Sequence, residues 1–373
     1  MTECNQSSFG FETSGRREIV ARFDGGTISS DGGAFLLRQA DKRLNLIGRL
    51  AECFLDGRNQ SLVEHSIPEM LSQRIYGLAL GYEDLNDHEQ LRTGRFFHGY
   101  YDNYCYLPLY VFCGDHVLCA RLREANHDAA FGCLQEMRRI VKQIRAAWPE
   151  VKIVLRGDSG FCRNELMSWC ENNGVDYLFG MARNQKLRRI IGQQMYEATL
   201  QWKQTGKPAR VFSEFAYSTK KTKKSGWDRA RRVVAKAEHI DGKENPRFVV
   251  TSLTSESWAA QALYEELYCE RGDMENRIKE QFSLFADRVS AETMRANQMR
   301  LYLSATAYML VSGLRRVGLK GTELAQAQVA TIRTKLLKIG AQIRVSVRKV
   351  WVSMASSYPW QGLYQQVWTN LRC

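Results

Sequence analysis

Residues 151–181 contain two short apolar runs separated by an amphipathic segment. The first run, VKIVLRGDSGF, ends in Asp158, which stands between two glycines. We predict a strand up to Asp158, a helix ending at Asn172 and a second strand over Asp176 to Met181. Strand, helix and strand in this order favour parallel pairing within an α/β layered core. Asp158 would then lie at the carboxyl end of its strand, where α/β folds place their sites.

A chain of 373 residues is long enough for two folded units with an insertion. We predict five segments. They are a mostly helical region that binds DNA ends (1–92), the first part of the core (93–183), a basic and mostly β insertion (184–255), the second part of the core with a long helix over about 257–286 (256–318), and a basic C-terminal tail of helical and strand character (319–373). The first part of the core begins with a β-hairpin that turns at Gly114-Asp115.

Helical patterns extend through the N-terminal region. A first helix is expected to begin at a cap formed by Ser29, Ser30 or Asp31, because their side chains accept free backbone amides. A second helix is expected from Leu62 to Leu80, ending at Gly81, and a short third from Glu83 to Leu91. Both a plain helical bundle and a DNA-reading helix-turn-helix variant fit this pattern.

The chain carries 53 Lys plus Arg against 40 Asp plus Glu, a net charge of +13. This excess favours a polyanionic partner, nucleic acid above all, although a merely basic soluble protein has the same charge. The N-terminus lacks the apolar core of a signal peptide, and the longest uncharged stretch, Leu301 to Leu314, suits a buried helix better than a bilayer span. We therefore expect a cytoplasmic protein without a membrane segment. No C-x-x-C pair indicates a zinc site.

A second set of polar residues occurs in LYCERGDMENRIKEQF. At steps of three, four and four, Tyr268, Arg271, Glu275 and Lys279 line one face of a helix. A solvated helix face is the alternative. For Asp158 the alternative is a carboxylate that only caps a turn.

The phrases RFDGGTISSDGGAFLLRQAD, GYEDLNDHEQLR, GRFFHGYYDNYCYLPLYVFCGDH, RGDSGF and YCERGDMENRIKEQ resemble those of bacterial insertion-sequence DDE transposases. Within the insertion-sequence-four superfamily, they are most similar to the thirteen-eighty family. The resemblance implies an RNase H-like core in which Asp158 is the second catalytic Asp and Glu275 the catalytic Glu, both as metal ligands. Tyr268 and Arg271 would hold DNA phosphates. Lys279 stands in for a signature lysine whose usual position is here Phe282.

The chain departs from the family pattern at one point. The family's first catalytic Asp ends an apolar opening strand just before the hairpin, and no such run precedes Gly94 here. The helical pattern joins directly at Arg92-Thr93, which indicates an internal deletion. The nearest acids are Asp84, Asp87 and Asp102, but none of them ends an apolar strand, so none is assigned.

The resemblance also implies cofactors and partners. Mg²⁺ or Mn²⁺ would support cleavage and joining of double-stranded DNA, both the element's terminal inverted repeats and target DNA, with a homodimer on paired ends. In the insertion we predict DNA contacts from Lys220, Lys221, Lys223, Lys224 and Trp227, with Trp202 as a second candidate for stacking on an extruded base. A solvated hairpin tip and core tryptophans are the alternatives. The rival function is a non-catalytic DNA-binding remnant that inhibits an intact transposase.

Overall fold

The computed structural model describes residues 8–14, 17–22, 28–60, 63–83, 97–98, 103–104, 106–219, 226–345, 347 and 350–372. The chain divides into two compact units. The first contains Met1–Arg92, Asp115–Val117 and Ile278–Cys373, and the second contains Thr93–Gly114 and Leu118–Arg277.

The N-terminal part of the first unit combines three strands and three helices. These are β1 (Ser8–Ser14), β2 (Arg17–Arg22), β3 (Ile28–Ser29), α1 (Ala34–Leu44), α2 (Leu46–Ala51) and α3 (Ile67–Leu80). β1 and β2 form an antiparallel pair. The region is thus partly β, where the sequence predicts mostly helix.

The start of α1 differs from the prediction. A side-chain cap at residues 29–31 is wrong, because α1 follows Gly33, which makes no side-chain cap. Gly33 lies so close to the backbone that a Cβ there would be 2.2 Å from the carbonyl oxygen of Leu336. Asp31 instead forms an ion pair with Lys338 at 2.8 Å. Packing against a distant segment therefore decides where this helix begins.

The end of α3 agrees with the prediction. Gly81 adopts a left-handed conformation with φ of 90°, which glycine accepts without steric cost. The start lies at Ile67, later than the predicted Leu62. The reason is a capping box between Ser66 and Glu69, in which each side chain binds the other's backbone amide.

The second unit begins with short strands. These are β4 (Phe97–His98), β5 (Asn103–Tyr104), β6 (Leu109–Cys113) and β7 (His116–Arg121). β6 and β7 form a two-stranded sheet around the Gly114-Asp115 turn, as predicted. The amphipathic helix α4 (Cys133–Ala147) follows and ends at Trp148.

A six-stranded sheet forms the centre of the second unit. Its strands are β8 (Val154–Gly157), β9 (Asp176–Met181), β10 (Ala209–Tyr217), β11 (Arg231–Ile240), β12 (Lys243–Glu244) and β13 (Arg247–Thr251). The helix α5 (Asn164–Asn172) connects β8 to β9, and the helices α6 (Gln185–Ile190) and α7 (Gly192–Thr205) connect β9 to β10. The strand order is β10-β11-β13-β9-β8, with β12 paired to β11. β8 and β9 are parallel, which confirms the strand–helix–strand prediction. Among the strands described, β8 lies at the edge of this sheet, and the β6–β7 pair is separate from it.

Both faces of the sheet are covered. Tyr177 and Phe179 of β9 point into a large cluster with α4 and α5, whereas Leu178 points to the opposite face with Leu263 and Tyr264. Alternate residues of a strand face opposite sides of a sheet. Burial on both sides explains why the β9 sequence is a continuous apolar run rather than an alternating one.

The segment predicted as a mostly β insertion also contains α6 and α7. Leu187, Ile191 and Met195 recur at four-residue steps and are all buried, which is the spacing of one helix face. The strands of this segment extend the central sheet, since β13 pairs antiparallel with β9.

The long helix predicted near residues 257–286 has four parts. They are α8 (Ala260–Ala262), a π-helical turn (Leu263–Tyr268), a 3-10 turn (Cys269–Arg271) and α9 (Gly272–Phe282). The hydrogen-bond register thus changes three times before Glu275. Such changes alter the rotation per residue, so the side chains that follow point in a different direction from those of a continuous α-helix.

The C-terminal part of the first unit is helical with a small sheet. Its elements are α10 (Met294–Val317), α11 (Val329–Ile332), a π-helical turn (Arg333–Leu337), β14 (Ala341–Val345), β15 (Val350–Met354) and α12 (Gln361–Arg372). β14 pairs with β15 and with β3. None of the helices in the described ranges is long and apolar enough to cross a bilayer.

Candidate active site

Asp158 directly follows β8 at the carboxyl end of the strand. Its Oδ1 accepts a hydrogen bond from the backbone amide of Gly160 at 2.8 Å and so caps a short 3-10 turn. Its Oδ2 accepts no hydrogen bond from any residue that the structure describes. The side chain is exposed, so one carboxylate oxygen is free to bind a ligand while the other holds the turn.

The glycines beside Asp158 have a packing role. A Cβ at Gly157 would lie 3.0 Å from Phe161 and 3.1 Å from Phe179. One at Gly160 would lie 2.9 Å from Asp158 Oδ1. Other residues of this chain therefore occupy the space beside both glycines, and no ligand can bind there.

Tyr268, at the end of the π-helical turn, lies next to Asp158. Its hydroxyl occupies the place where Gly180 has no side chain, 2.5 Å from an ideal Cβ at that glycine. The backbone of Asp158 and Ser159 borders the same position at 3.4 and 3.2 Å. Burial raises the pKa of Tyr268, the Arg271 charge opposes this, and the Asp158 charge adds to the increase.

Arg271 connects Tyr268 with Glu275. Its guanidinium carbon lies 5.5 Å from the centre of the Tyr268 ring, and its Nη2 lies 3.9 Å from Glu275 Oε1. The Glu275 side chain is 61 % exposed. A chain of neighbouring side chains thus leads from Asp158 through Tyr268 and Arg271 to Glu275, all within the second unit.

Arg156 fastens this helical segment to the Asp158 strand. Its Nη1 donates to the carbonyl oxygen of Leu267 at 2.8 Å and to Glu270 Oε2 at 3.0 Å. Sequence reasoning missed both Arg156 and Gly180. A glycine inside an apolar strand is a known signal of close approach, which makes Gly180 recognisable in principle.

Lys279 does not join this cluster in the described contacts. It is exposed on α9, four residues after Glu275, and belongs to the first unit. Its role in binding DNA stays a prediction.

The DNA-contact residues predicted in the insertion have different outcomes. Lys220, Lys221, Lys223 and Lys224 lie outside the described residues. Trp227 is only 8 % exposed and packs edge-on against Tyr217 at 5.7 Å, within the core cluster. A ring buried in this way is not available to stack on a base, so Trp227 is corrected to a core residue. Trp202 is half-buried and packs on His239 at 4.6 Å.

The described residues contain no group of three or more His, Cys, Asp or Glu side chains that is arranged to hold a metal ion. Asp84, Asp87 and Asp102 lie outside the described residues, as does the predicted helix beyond Glu83. Asp158 and Glu275 offer oxygen ligands of the type that Mg²⁺ and Mn²⁺ prefer. These two carboxylates therefore fit a hard cation in type, and among the described residues no third ligand joins them.

A sequence profile described as Transposase DDE domain group 1 matches residues 11–94 and 92–373 of the chain. The two matched segments meet at residues 92–94 and together include nearly the whole sequence. The chain therefore carries a DDE transposase domain. It belongs to the Transposase DDE domain group 1 family, a class of nucleotidyl-transfer enzymes that act on DNA. No curated protein matched the chain.

Proposed function

We propose that this protein is an insertion-sequence transposase of the insertion-sequence-four superfamily and thirteen-eighty family, with an incomplete catalytic site. Residues 93–183 and 256–318 form its RNase H-like core, and 184–255 are the insertion. The parallel β8–β9 pair supports this core, since Asp158 stands at the carboxyl end of the strand pair. The N-terminal segment 1–92 and the tail 319–373 complete the chain.

Asp158 and Glu275 are the proposed metal ligands. When bound, Mg²⁺ or Mn²⁺ activates a water or a DNA 3′-hydroxyl and stabilises the leaving oxygen during in-line attack on phosphorus. The free Oδ2 of Asp158 and the exposed carboxylate of Glu275 are the groups available for this. The 3-10 turn capped by Asp158 Oδ1 fixes the direction of the carboxylate.

Tyr268 and Arg271 are the proposed phosphate-binding residues beside that site. The Arg271 guanidinium can donate two parallel hydrogen bonds to a phosphate, a bidentate geometry that a single ammonium cannot match. Its weak contact with Glu275, at 3.9 Å, leaves donors free for DNA. Packing of Tyr268 against Gly180 holds Arg271 close to the carboxyl ends of β8 and β9.

The interruption of the family match at residues 92–94 carries the proposal of an incomplete site. In the family pattern the opening strand, which carries the first catalytic Asp, precedes the hairpin in the sequence. In the folded sheet it lies between the hairpin and the Asp158 strand. Among the strands that the structure describes, β8 is the edge strand of its sheet and the β6–β7 hairpin forms a separate sheet. Both observations support loss of the opening strand at Arg92-Thr93.

With two carboxylates in place of three, one metal position lacks a ligand. We expect strand cleavage below detection on DNA carrying the element ends. Insertion of a family opening strand, with its Asp, between Arg92 and Thr93 should restore metal-dependent nicking, while the same insertion with Asn in place of that Asp should not. Robust strand transfer by the unaltered chain would contradict this proposal and require Asp84, Asp87 or Asp102 as the third ligand.

The second candidate is a non-catalytic DNA-binding protein that occupies element ends and inhibits an intact transposase, alone or as a homodimer on paired ends. It is favoured by the finding that the described residues contain no group of three or more side chains arranged to hold a metal ion. Mixing this chain with an active family member tests the idea. Inhibition that disappears with excess terminal-repeat DNA supports it, and unchanged transposition contradicts it.

A further inference from the structure

An open cleft of about 480 Å³ lies in the first unit between α1, α3 and α12, and its lining contains none of the residues assigned above. Its volume falls within the range of small-ligand pockets, about 300–1,000 Å³. Aromatic rings and cations line it together. The aromatic residues are Phe35, Tyr76, Tyr364 and Trp368, and the cations are Arg38 and Lys42.

Helix geometry explains why these residues meet. Phe35, Arg38 and Lys42 follow each other on α1 at steps of three and four, so they share one face. Tyr364 and Trp368 stand four residues apart on α12 and share another. The two helices are joined by a hydrogen bond from Arg43 to the carbonyl oxygen of Asn370, at 2.9 Å.

Two of the four rings are exposed, and Tyr76 and Tyr364 are half-buried. Phe35 is 47 % and Trp368 is 44 % exposed. The guanidinium carbon of Arg372 lies 4.5 Å from the centre of the Trp368 ring, which places a further cation beside the cleft. The cleft thus presents flat apolar surfaces next to positive charge.

The cations of the cleft have no ion-pair partners among the residues described. Asp41, the one carboxylate of the lining, is engaged by its own chain, because its Oδ1 accepts the backbone amides of Leu46 at 3.1 Å and Ile47 at 3.0 Å. Arg38 and Lys42 are both exposed. Their charge is therefore available to an anionic ligand.

We propose that this cleft binds an unpaired stretch of DNA, with bases stacked on Trp368 and Phe35 and phosphates held by Arg38, Lys42 and Arg372. Aromatic rings interleaved with cations are the pattern of single-strand binding. An apolar protein segment would instead desolvate Arg38 and Lys42 without giving them partners. Bases within an intact duplex cannot reach rings inside a cleft. The site rests on the DNA partner of the proposed function and not on its catalysis.

Fluorescence anisotropy with a short labelled oligothymidine, in EDTA and over a range of salt concentrations, tests the site on the full chain. Trp368→Ala should weaken binding about 5- to 100-fold, the range expected from loss of one stacked base. Trp368→Phe, which keeps a ring, should lose less. Arg38→Gln and Lys42→Gln should each lower the salt slope by about 0.7, one single-strand phosphate. Trp148→Ala, an exposed tryptophan of the second unit, is the matched control and should bind as the parent does.

Three results would overturn the site. One is parental affinity in Trp368→Ala with an unchanged circular dichroism spectrum. Another is equal competition by a blunt duplex of the same length. The third is loss of a concentration-dependent dimer in Trp368→Ala, which would assign the cleft to a second copy of the chain. The binding assay contains EDTA and therefore does not test metal-dependent cleavage. A negative binding result would not contradict the proposed Asp158 site, and an absence of nicking would not contradict oligonucleotide binding by the cleft.

Discussion

At the residue scale, the contact between Gly180 and Tyr268 determines how the candidate site is assembled. A phenol hydroxyl fills the volume of a missing methyl group, and the backbone of Asp158 and Ser159 closes the other side. Residue 180 must therefore be glycine, since a Cβ at this position would displace the Tyr268 hydroxyl or the backbone of Asp158 and Ser159.

Gly180→Ala should destabilise the second unit by about 1–3 kcal/mol, the usual cost of overpacking. Tyr268→Phe removes the clashing atom, so the double variant should recover most of this loss. Chemical denaturation of the parent, both single variants and the double variant gives the coupling free energy. Gly192→Ala, where a Cβ meets nothing within 4 Å, is the control. Additive effects of the two substitutions would contradict the contact.

Arg271→Ala should weaken binding of a terminal-repeat duplex about 10- to 100-fold, because a hydrogen bond to a charged group contributes about 1.5–3 kcal/mol. Gel-shift titration measures this. Arg139→Ala is the control, since Arg139 is an arginine of the same unit that also lies near a glutamate on its own helix, Glu136, at 2.9 Å. Equal losses in the two variants would indicate a general charge effect and not a phosphate site.

Glu275→Gln should leave folding and DNA binding unchanged and lower the affinity for Mn²⁺. The stability change should stay below about 0.5 kcal/mol, because an exposed pair at 3.9 Å contributes little. Calorimetric titration with Mn²⁺ measures the affinity. A variant with parental Mn²⁺ binding would assign Glu275 to a solvated helix face.

At the scale of elements, a buried charge network anchors β11 to α5. Arg231 donates to Glu171 at 2.6 Å and to Asp228 at 2.8 Å, and its side chain is 2 % exposed. Burial alone would raise the pKa of Glu171, but hydrogen bonds from Arg231 and Tyr177 lower it below its ordinary value. The network thus fixes the start of β11, directly after the lysine cluster at 220–224.

Glu171→Gln should remove a contribution to stability that depends on pH. A carboxylate whose pKa is lowered by folding stabilises the fold above its ordinary pKa of 4.5 and loses this effect as pH falls through the lowered value. The parent should therefore exceed the variant by about 1–3 kcal/mol at pH 7 and converge with it in acid. Denaturation at several pH values checks this, with exposed Glu165→Gln of the same helix as control. A gap that is constant with pH would contradict it.

Replacing Lys220, Lys221, Lys223 and Lys224 with Gln should reduce the salt dependence of duplex binding. Each lost phosphate contact lowers the slope of log affinity against log salt by about 0.9. The control changes the same charge elsewhere in the second unit, at the exposed lysines Lys142, Lys152, Lys203 and Lys207. If both sets alter affinity and slope equally, the cluster is a solvated tip and the attraction is a property of the net charge.

At the scale of the whole molecule, the elements that could be predicted from the sequence are those whose formation depends on the spacing of nearby residues. The β8–α5–β9 unit follows from the apolar runs around Asp158, and the end of α3 follows from Gly81. The strand order could not be predicted, because pairing of β13 with β9 joins segments about seventy residues apart in a register set by packing. For the same reason the sequence does not reveal that Trp227 is in the core, or that Gly180 and Arg156 seat the Tyr268 segment.

The position of β8 at the edge of its sheet, among the strands that the structure describes, has a consequence for complementation between defective copies. An edge strand presents unpaired amide and carbonyl groups, which another extended chain can join by β-augmentation. If the opening strand is missing, as we propose, this edge is a template for that strand when it arrives on a separate polypeptide. Such a donor would bring its own aspartate beside Asp158, so two defective copies in one cell can together form a set of carboxylates that neither encodes alone.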